Sequence, residues 1–353
     1  MKVTAIPAAS LEPTHISRWA EIQAADPTLR SPFLSPEFTL AMAEERPAVT
    51  IGVVEDESGP IAFFPHERGR LGIARPVGGP LNDLQGVIAA QGRQLAAEDL
   101  IRNCRLVQWS FTRIIASQEI FQRYHVRRDV SRFIDLSDGF DRYAREKHRS
   151  FAARLVRKGR QLEREAGRVR FDMHAADPSL LAMMMAWKRE RYAATGYCDV
   201  FQIPWARRAI QRIHDTETDR FAGRLSILWA GDEPVAAHLG VRCLDHLHSW
   251  IVSYAPRFAR YSPGLLLYWN LAEAASRIGI RRIEIGGGLY PYKDMLANTE
   301  IGVASGSVDR MAMVTAARRW CETGAEWIRS SSILRPPARG ALRTYRRLRS
   351  VAN

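Results

Sequence analysis

The sequence predicts an α/β (α+β) fold in two domain-sized halves, and three observations carry that prediction. The chain has 353 residues, room for two domains of about 100–200 residues each. Apolar residues make up 46% and charged residues 25%, a globular balance that excludes a mainly disordered or collagen-like chain. Short β-type runs alternate with helical periodicity along the chain, and direct matching reveals no internal repeat.

Residues 1–30 are mixed. Ser35-Pro36-Glu37 reads as a helix start, with Ser35 as cap, Pro36 at the first helical position and a stop before Pro47. Val49 to Glu55 and Ile61 to Pro65 flank the turn at 57–60, a hairpin pattern. Arg70 to Leu84, with Gly78-Gly79-Pro80 at its centre, reads as a loop. A helix is expected near Leu95 to Cys104, and strands near Leu106 to Ser110 and Arg132 to Leu136. Ser137-Asp138-Gly139 would cap one helix running from Phe140 to Gly167, where glycine ends it. Val169 to Met173 reads as a strand. Pro178 to Ala194 and Pro204 to His214 read as helices, the first with Leu181, Met184, Met185 and Trp187 inward. An antiparallel meander follows in Leu225 to Ala230, Val235 to Arg242 and Leu247 to Tyr254. Ser262-Pro263-Gly264 opens a helix to Arg277, Gly279 closes it, and Arg282 to Ile285 is a strand able to lie beside the last meander strand.

The net charge of +13 is unevenly spread. Residues 142–170 hold eleven basic residues against Glu146, Glu163 and Glu165, and Arg335 to Asn353 hold six arginines and no acid. The rest of the chain is essentially neutral. Two basic patches on a neutral body suit an anionic partner, although a solvated helix face and a ragged terminus are the plain alternative. No zinc-finger, RNA-recognition or P-loop pattern accompanies them, which counts against nucleic acid. Cys104, Cys198, Cys243 and Cys321 lie far apart, giving neither a metal-ligand spacing nor a disulfide framework. No apolar run approaches 18 residues and the N-terminus lacks a signal-peptide pattern, so a soluble, cytoplasmic protein is expected.

Arg260-Tyr261-Ser262-Pro263-Gly264-Leu265 is the segment most suggestive of chemistry. A strand ends, the chain turns, and a helix begins with unpaired amides, which suits a phosphate or pyrophosphate; Arg257 and Arg260 could add charge. A well-capped helix is the alternative. His238 and His248, on neighbouring strands, titrate near neutrality and suit base catalysis. A hydrogen-bonded core role for His238, and a packed or stacked one for His248, are the alternatives. Glu284 can serve as base or substrate anchor, or can pair with Arg281 or Arg282.

Residues 150–300 resemble the acyltransferase domain of the GNAT superfamily found in CelD-like cellulose-biosynthesis proteins, which are related to the FemAB peptidyl transferases. The resemblance rests on Phe151 to Lys158, Trp187-Lys188, Pro234-Val235-Ala236-Ala237-His238, Trp250 to Tyr254, Phe258 to Gly264 and Pro291-Tyr292-Lys293. It implies tandem GNAT-like domains, a degenerate one over 1–140 and an acyltransferase domain over 141–334, followed by a basic tail over 335–353. It implies transfer of an acyl group, acetyl first, from acyl-CoA to an amine of a sugar or lipid-linked glycan precursor in exopolysaccharide assembly, with no metal.

On that resemblance, Tyr261, Ser262, Pro263, Gly264 and Leu265, with Arg260, would bind the pyrophosphate. Val252 and Tyr254 would offer backbone amides to the thioester. His238 would be the base, Tyr292 would protonate the departing thiolate, and Lys293 would hold a substrate anion. Arg154, Arg157 and Lys158 on the basic helix, with Trp187, His248 and Trp250, are candidates for contacting the acceptor. Similar proteins read Gly-Asp-Glu-Pro-Tyr-Lys where this chain reads Gly288-Leu289-Tyr290-Pro291-Tyr292-Lys293; the missing acids imply a changed acceptor, a reliance on His238 or Glu284 as base, or a chain with weak or no transferase activity. The basic helix also suits peripheral attachment to the inner membrane, and Arg335 and Arg339 have a spacing compatible with cyclic di-GMP. Two other functions fit the same patches: a non-catalytic protein binding a nucleotide or nucleic acid, and a FemAB-like aminoacyl-tRNA-dependent transferase. The oligomeric state is not legible.

Overall fold

A computed structural model describes residues 1–310 except His148, Ala176, Tyr197 and Leu289. Arg335, Arg339 and the basic tail lie outside the described residues, as does Leu289. The elements run β1 (Lys2–Pro7), α1 (Pro13–Ala25), α2 (Pro36–Glu45), β2 (Val49–Asp56), β3 (Gly59–Arg68), β4 (Ile73–Arg75), β5 (Ile88–Ala89), α3 (Ala97–Asn103), β6 (Gln108–Ile115) and β7 (His125–Asp135). They continue with α4 (Phe140–Glu146), α5 (Arg149–Ala166), β8 (Val169–Asp172), α6 (Pro178–Thr195), α7 (Pro204–Asp215), β9 (Phe221–Ala230), β10 (Glu233–Cys243) and β11 (His246–Tyr254). The last are α8 (Pro263–Arg277), β12 (Arg282–Gly286), α9 (Pro291–Leu296) and β13 (Thr299–Asp309).

The local grammar works as expected where capping and periodicity are strong. Ser35 Oγ accepts from the Phe38 amide at 3.1 Å and Pro36 opens α2, and Gly167 ends α5 with φ +96°. Three expectations are corrected. The helix from Phe140 is two helices, because Lys147 turns extended and donates its ammonium to the Ala297 carbonyl; Gly139, with no side-chain cap bond, precedes the first. The loop from Arg70 contains β4, paired with β3 and β6. β13, after α9, is a strand that was not among those expected.

All the strands join one sheet, in the order β1-β2-β3-β4-β6-β13-β7-β12-β11-β10-β9-β8, with β5 attached to β3. β13, last of the described strands, sits between β6 and β7 and is antiparallel to both. The two halves are therefore stitched through the sheet's centre. Helices α1, α2, α6 and α7 bury one apolar face of the sheet; α5 and α8 bury the other over β9–β12, and α3 does so over the first strands. Arg208 and Arg212 of α7 pair with Glu45 and Glu44 of α2 at 2.6 Å, tying the halves again.

Candidate active site

β11 and β12 run parallel over only three residue pairs, ending at His248↔Glu284. Beyond that pair no β11–β12 pairing exists among the described residues, so the strands part and leave a gap. Trp250 is an extra residue on β11 opposite the Leu239–Gly240 step of β10, and such a bulge bends a strand and re-aims its side chains. One 3₁₀ turn, Pro256–Tyr261, then leads from the end of β11 into α8.

Several charged side chains converge where the strands part. His248 is 1% exposed. Its Nε2 lies 3.2 Å from Asp83 Oδ2, and its Nδ1 lies 3.1 Å from Glu284 Oε2, out of line for a hydrogen bond. Ser131 of β7 donates to Glu284 Oε1 at 2.6 Å, and Arg113 of β6 donates to Asp83 Oδ1 at 2.8 Å. Burial alone would depress the His248 pKa, but Glu284 and Asp83 overcome it and raise the imidazole to about 9. Burial likewise pushes Asp83 upward, yet His248, Arg113 and Lys293 hold it below the ordinary carboxylate value. Lys293, in α9, is buried and donates to the Gly287 carbonyl at 2.5 Å. Burial, against the attraction of Asp83, lowers its pKa to about 8.

The predicted site residues fall into three groups. Glu284, Lys293 and His248 come together in this cluster, and Trp250 lies beside it, 6.4 Å from Phe33, donating its indole N–H to the Leu81 carbonyl. His238 points elsewhere, towards Tyr268 of α8 at 6.2 Å, with both ring nitrogens unpartnered. Burial lowers its pKa to about 3, which makes it a weak base. Neither a hydrogen-bonded core role nor a catalytic contact is visible for it. Tyr292 stacks on Tyr268 at 6.2 Å, and burial raises its pKa. Glu284 pairs with His248 rather than with Arg281 or Arg282; Arg282 is held by Asp135 at 3.3 Å.

The second group surrounds the start of α8. Ser262 adopts a left-handed conformation, φ +56°, and makes no side-chain cap bond. Its carbonyl accepts from the amides of Leu265 and Leu266, and Pro263 has no N–H. The turn thus offers fewer bare donors than the sequence suggested, chiefly the N–H of Gly264. A Cβ built on Gly264 would meet nothing within 4 Å, so space above it is open. Arg260 is engaged by Glu165 at 2.7 Å and Arg257 by Glu233 at 2.7 Å, so neither brings free charge. Tyr261 is buried, its hydroxyl donating to Glu165 at 2.6 Å. The third group is the basic helix α5. Lys158 donates to the Arg260 carbonyl at 2.6 Å, Arg154 to Met295 Sδ at 3.1 Å, and Arg157 is exposed. Trp187 is half-buried between the two apolar faces.

Sequence reasoning missed Asp83, Arg113, Ser131 and Lys188. Lys188 of α6 donates to the Val252 carbonyl at 3.0 Å, and burial lowers its pKa. Tyr254 accepts at its hydroxyl from Arg191 at 3.1 Å. Among the described residues no group of three or more His, Cys, Asp or Glu is arranged to hold a metal ion, and no helix is long and apolar enough to cross a membrane.

Residues 122–294 match the model of an acetyltransferase (GNAT) domain. No curated protein matches the chain by sequence. Among solved structures the chain is similar to FemX, with 7% identity, 90% of this chain and 99% of that one covered, and a TM-score of 0.61. It is also similar to the C-terminal domain of a putative lysylphosphatidylglycerol synthetase from Agrobacterium fabrum, at 12% identity, 86% and 94% coverage and a TM-score of 0.53. A tandem GNAT protein from the clavulanic acid biosynthesis pathway aligns at 11% identity, 87% and 98% coverage and a TM-score of 0.50. At these identities the likeness is one of fold. The chain therefore has a mixed α/β fold like that of GNAT acyltransferases, and residues 122–294 are the part that matches the acetyltransferase (GNAT) domain model.

Proposed function

We propose that the protein is an acyl-CoA-dependent N-acyltransferase acting on a primary amine of a small polar molecule, an amino sugar or a lipid-linked glycan precursor. The observation that carries this reading is the parting of β11 from β12 directly after His248 and Glu284. A gap between parallel strands exposes backbone N–H and C=O groups that an extended amide-bearing arm can pair with. Lys188 takes the Val252 carbonyl, and a strand residue's N–H faces the same edge as its carbonyl. The Val252 amide is therefore turned to that gap as well.

The residues present fit a coenzyme A arm. Open space over Gly264 and the positive end of the 15-residue α8 favour the pyrophosphate. The Gly264 amide would hold it there, since the Leu265 amide is taken by the Ser262 carbonyl, and Val252 would face the acyl end. Bound acyl-CoA supplies an already activated thioester carbonyl. The chain must then orient the amine and take its proton. Lys293, with a pKa of about 8, is matched to that task near neutral pH. Asp83, His248 and Glu284 fix the charge array around it. Tyr292, kept protonated by burial, holds a proton at its hydroxyl for the departing sulfur. We also read the halves flanking β13 and β7 as a tandem pair, in which the first supplies Asp83, Arg113 and Ser131.

Calorimetry tests the reading. The protein is expected to take up coenzyme A, and Gly264→Glu, which puts a carboxylate at the pyrophosphate, is expected to weaken uptake by roughly 100-fold or more while the fold is kept. No uptake by the parent protein at millimolar coenzyme A overturns the assignment.

A further inference from the structure

We infer that two adjoining cavities behind Glu284 are the entry route and seat of the acceptor amine, an inference that rests on the transferase reading and names how its second substrate arrives. The inner cavity, about 280 Å³, is walled by Ser31, Leu84, Ile115, Phe133, Ile301 and Glu284. The outer one, about 640 Å³, is a cleft of the first half bordered by Asp26, Arg93, Leu95 and Glu119. Both include Thr28 and Ser117, two exposed residues, so the two spaces adjoin there. Water fills about 30 Å³ per molecule, so the inner space suits a body of monosaccharide size and excludes a nucleotide or a folded peptide.

Its chemistry suits an ammonium. Glu284 is 2% exposed. Ser131 satisfies its Oε1, whereas Oε2 has only the off-line contact with His248. Ser31, 4% exposed, has a hydroxyl without a partner, and mostly apolar neighbours complete the seat, as in small-molecule pockets generally. The arginines along the route are already neutralised, Arg93 by Asp56 at 2.8 Å and Arg282 by Asp135 at 3.3 Å, and His246 lies 3.2 Å from Asp245. Asp26 and Glu119 remain at the mouth. On a chain of net charge +13, an acid-lined passage draws in a cation and repels an anion. Acceptor and coenzyme would then approach the centre from different sides.

Thiol labelling of Ser117→Cys tests the route without depending on activity. The probes are the aminoethyl (cationic) and sulfonatoethyl (anionic) methanethiosulfonates, located by mass spectrometry, with the exposed Cys198 as internal reference. The cationic reagent is expected to be favoured at least tenfold more at position 117 than at Cys198, and adding Glu284→Gln is expected to reduce that preference. Capped protein should still bind coenzyme A but transfer acetyl to glucosamine at least tenfold more slowly than uncapped protein. Equal preferences at the two thiols overturn the route, as does capped protein that transfers at the uncapped rate. If Glu284→Gln does not fold, the single Ser117→Cys protein carries the test, because its preference is read against Cys198. Failure of the parent protein to take up coenzyme A would instead remove the transferase reading and leave a cation-selective passage.

Discussion

His238 and His248 lie on adjacent strands of one sheet, both essentially sealed from water, yet they are opposite in character. His238 faces the apolar side under α8, finds no partner and drops to a pKa of about 3. His248 faces the side covered by the first half, meets Asp83 and Glu284, and rises to about 9. Desolvation acts on both; the difference is two carboxylates, one delivered from 165 residues away. A buried histidine's charge is thus set by what the fold brings to it, and by nothing in its immediate sequence.

The sharpest way to break this contrast is to remove the group assigned to the chemistry. Lys293→Met is expected to slow acyl transfer by roughly 100-fold or more with coenzyme A uptake unchanged. Lys293→Arg should fail to rescue it, because a guanidinium stays charged. In the parent protein the rate should climb with pH and level off above about 8, where Lys293 is neutral. A stopped assay across pH 6–9.5 reads both effects, and full activity in the arginine variant would assign Lys293 an electrostatic role instead.

Glu284→Gln removes one of the two carboxylates that make His248 a cation. Loss of one partner of a buried ion pair costs about 3 kcal/mol or more, measured as a lower urea midpoint. The unaltered pair should also show in the pH dependence of stability. The folded pKa of His248, about 9, is above the unfolded value of about 6.5. Its contribution, on the order of 3 kcal/mol, is complete below pH 6.5 and lost as pH rises through 9. Urea titrations at pH 7 and 8, between the range where the neutral buried histidines contribute and the range above 8 where Lys293 and Lys147 oppose the loss, should differ in that sense, and equal midpoints would mean the imidazole is neutral when folded. In Glu284→Gln the alkaline loss should be smaller and finish at a lower pH.

The smallest effect is expected at the other histidine. His238→Leu replaces an unpartnered polar ring in an apolar setting, so stability should change by no more than about 1 kcal/mol and transfer should persist. Loss of transfer with coenzyme A uptake intact would return the base to His238.

The meander β9–β11, helices α2 and α6–α8, and the placing of β12 beside β11 were legible because apolar periodicity, Pro at helix starts and Gly at turns act locally. β13 was not. Its Gly302 and Gly306 weaken any strand signal, and they are there because neighbours press close: a Cβ on Gly306 would meet the Tyr124 carbonyl. In the site, Glu284 and His248 stood out as titratable residues on predicted strands, and Lys293 through the family resemblance alone. Asp83 lay in a Gly/Pro-rich stretch where an acid is ordinary, and only the fact that such loops carry function hinted at it.

By itself the sequence determined the order and kind of most elements, since each depends on residues a few positions apart. It also determined that titratable groups lie on β11 and β12, at His248 and Glu284. The tertiary structure alone decided which of those groups is charged and which is inert. It inserted β13 between β6 and β7, set β7 beside β12, and so carried Asp83, Arg113 and Ser131 to His248 and Glu284. Electrostatic energy depends on distance in space and on exclusion of water, and neither is a property of neighbours along the chain.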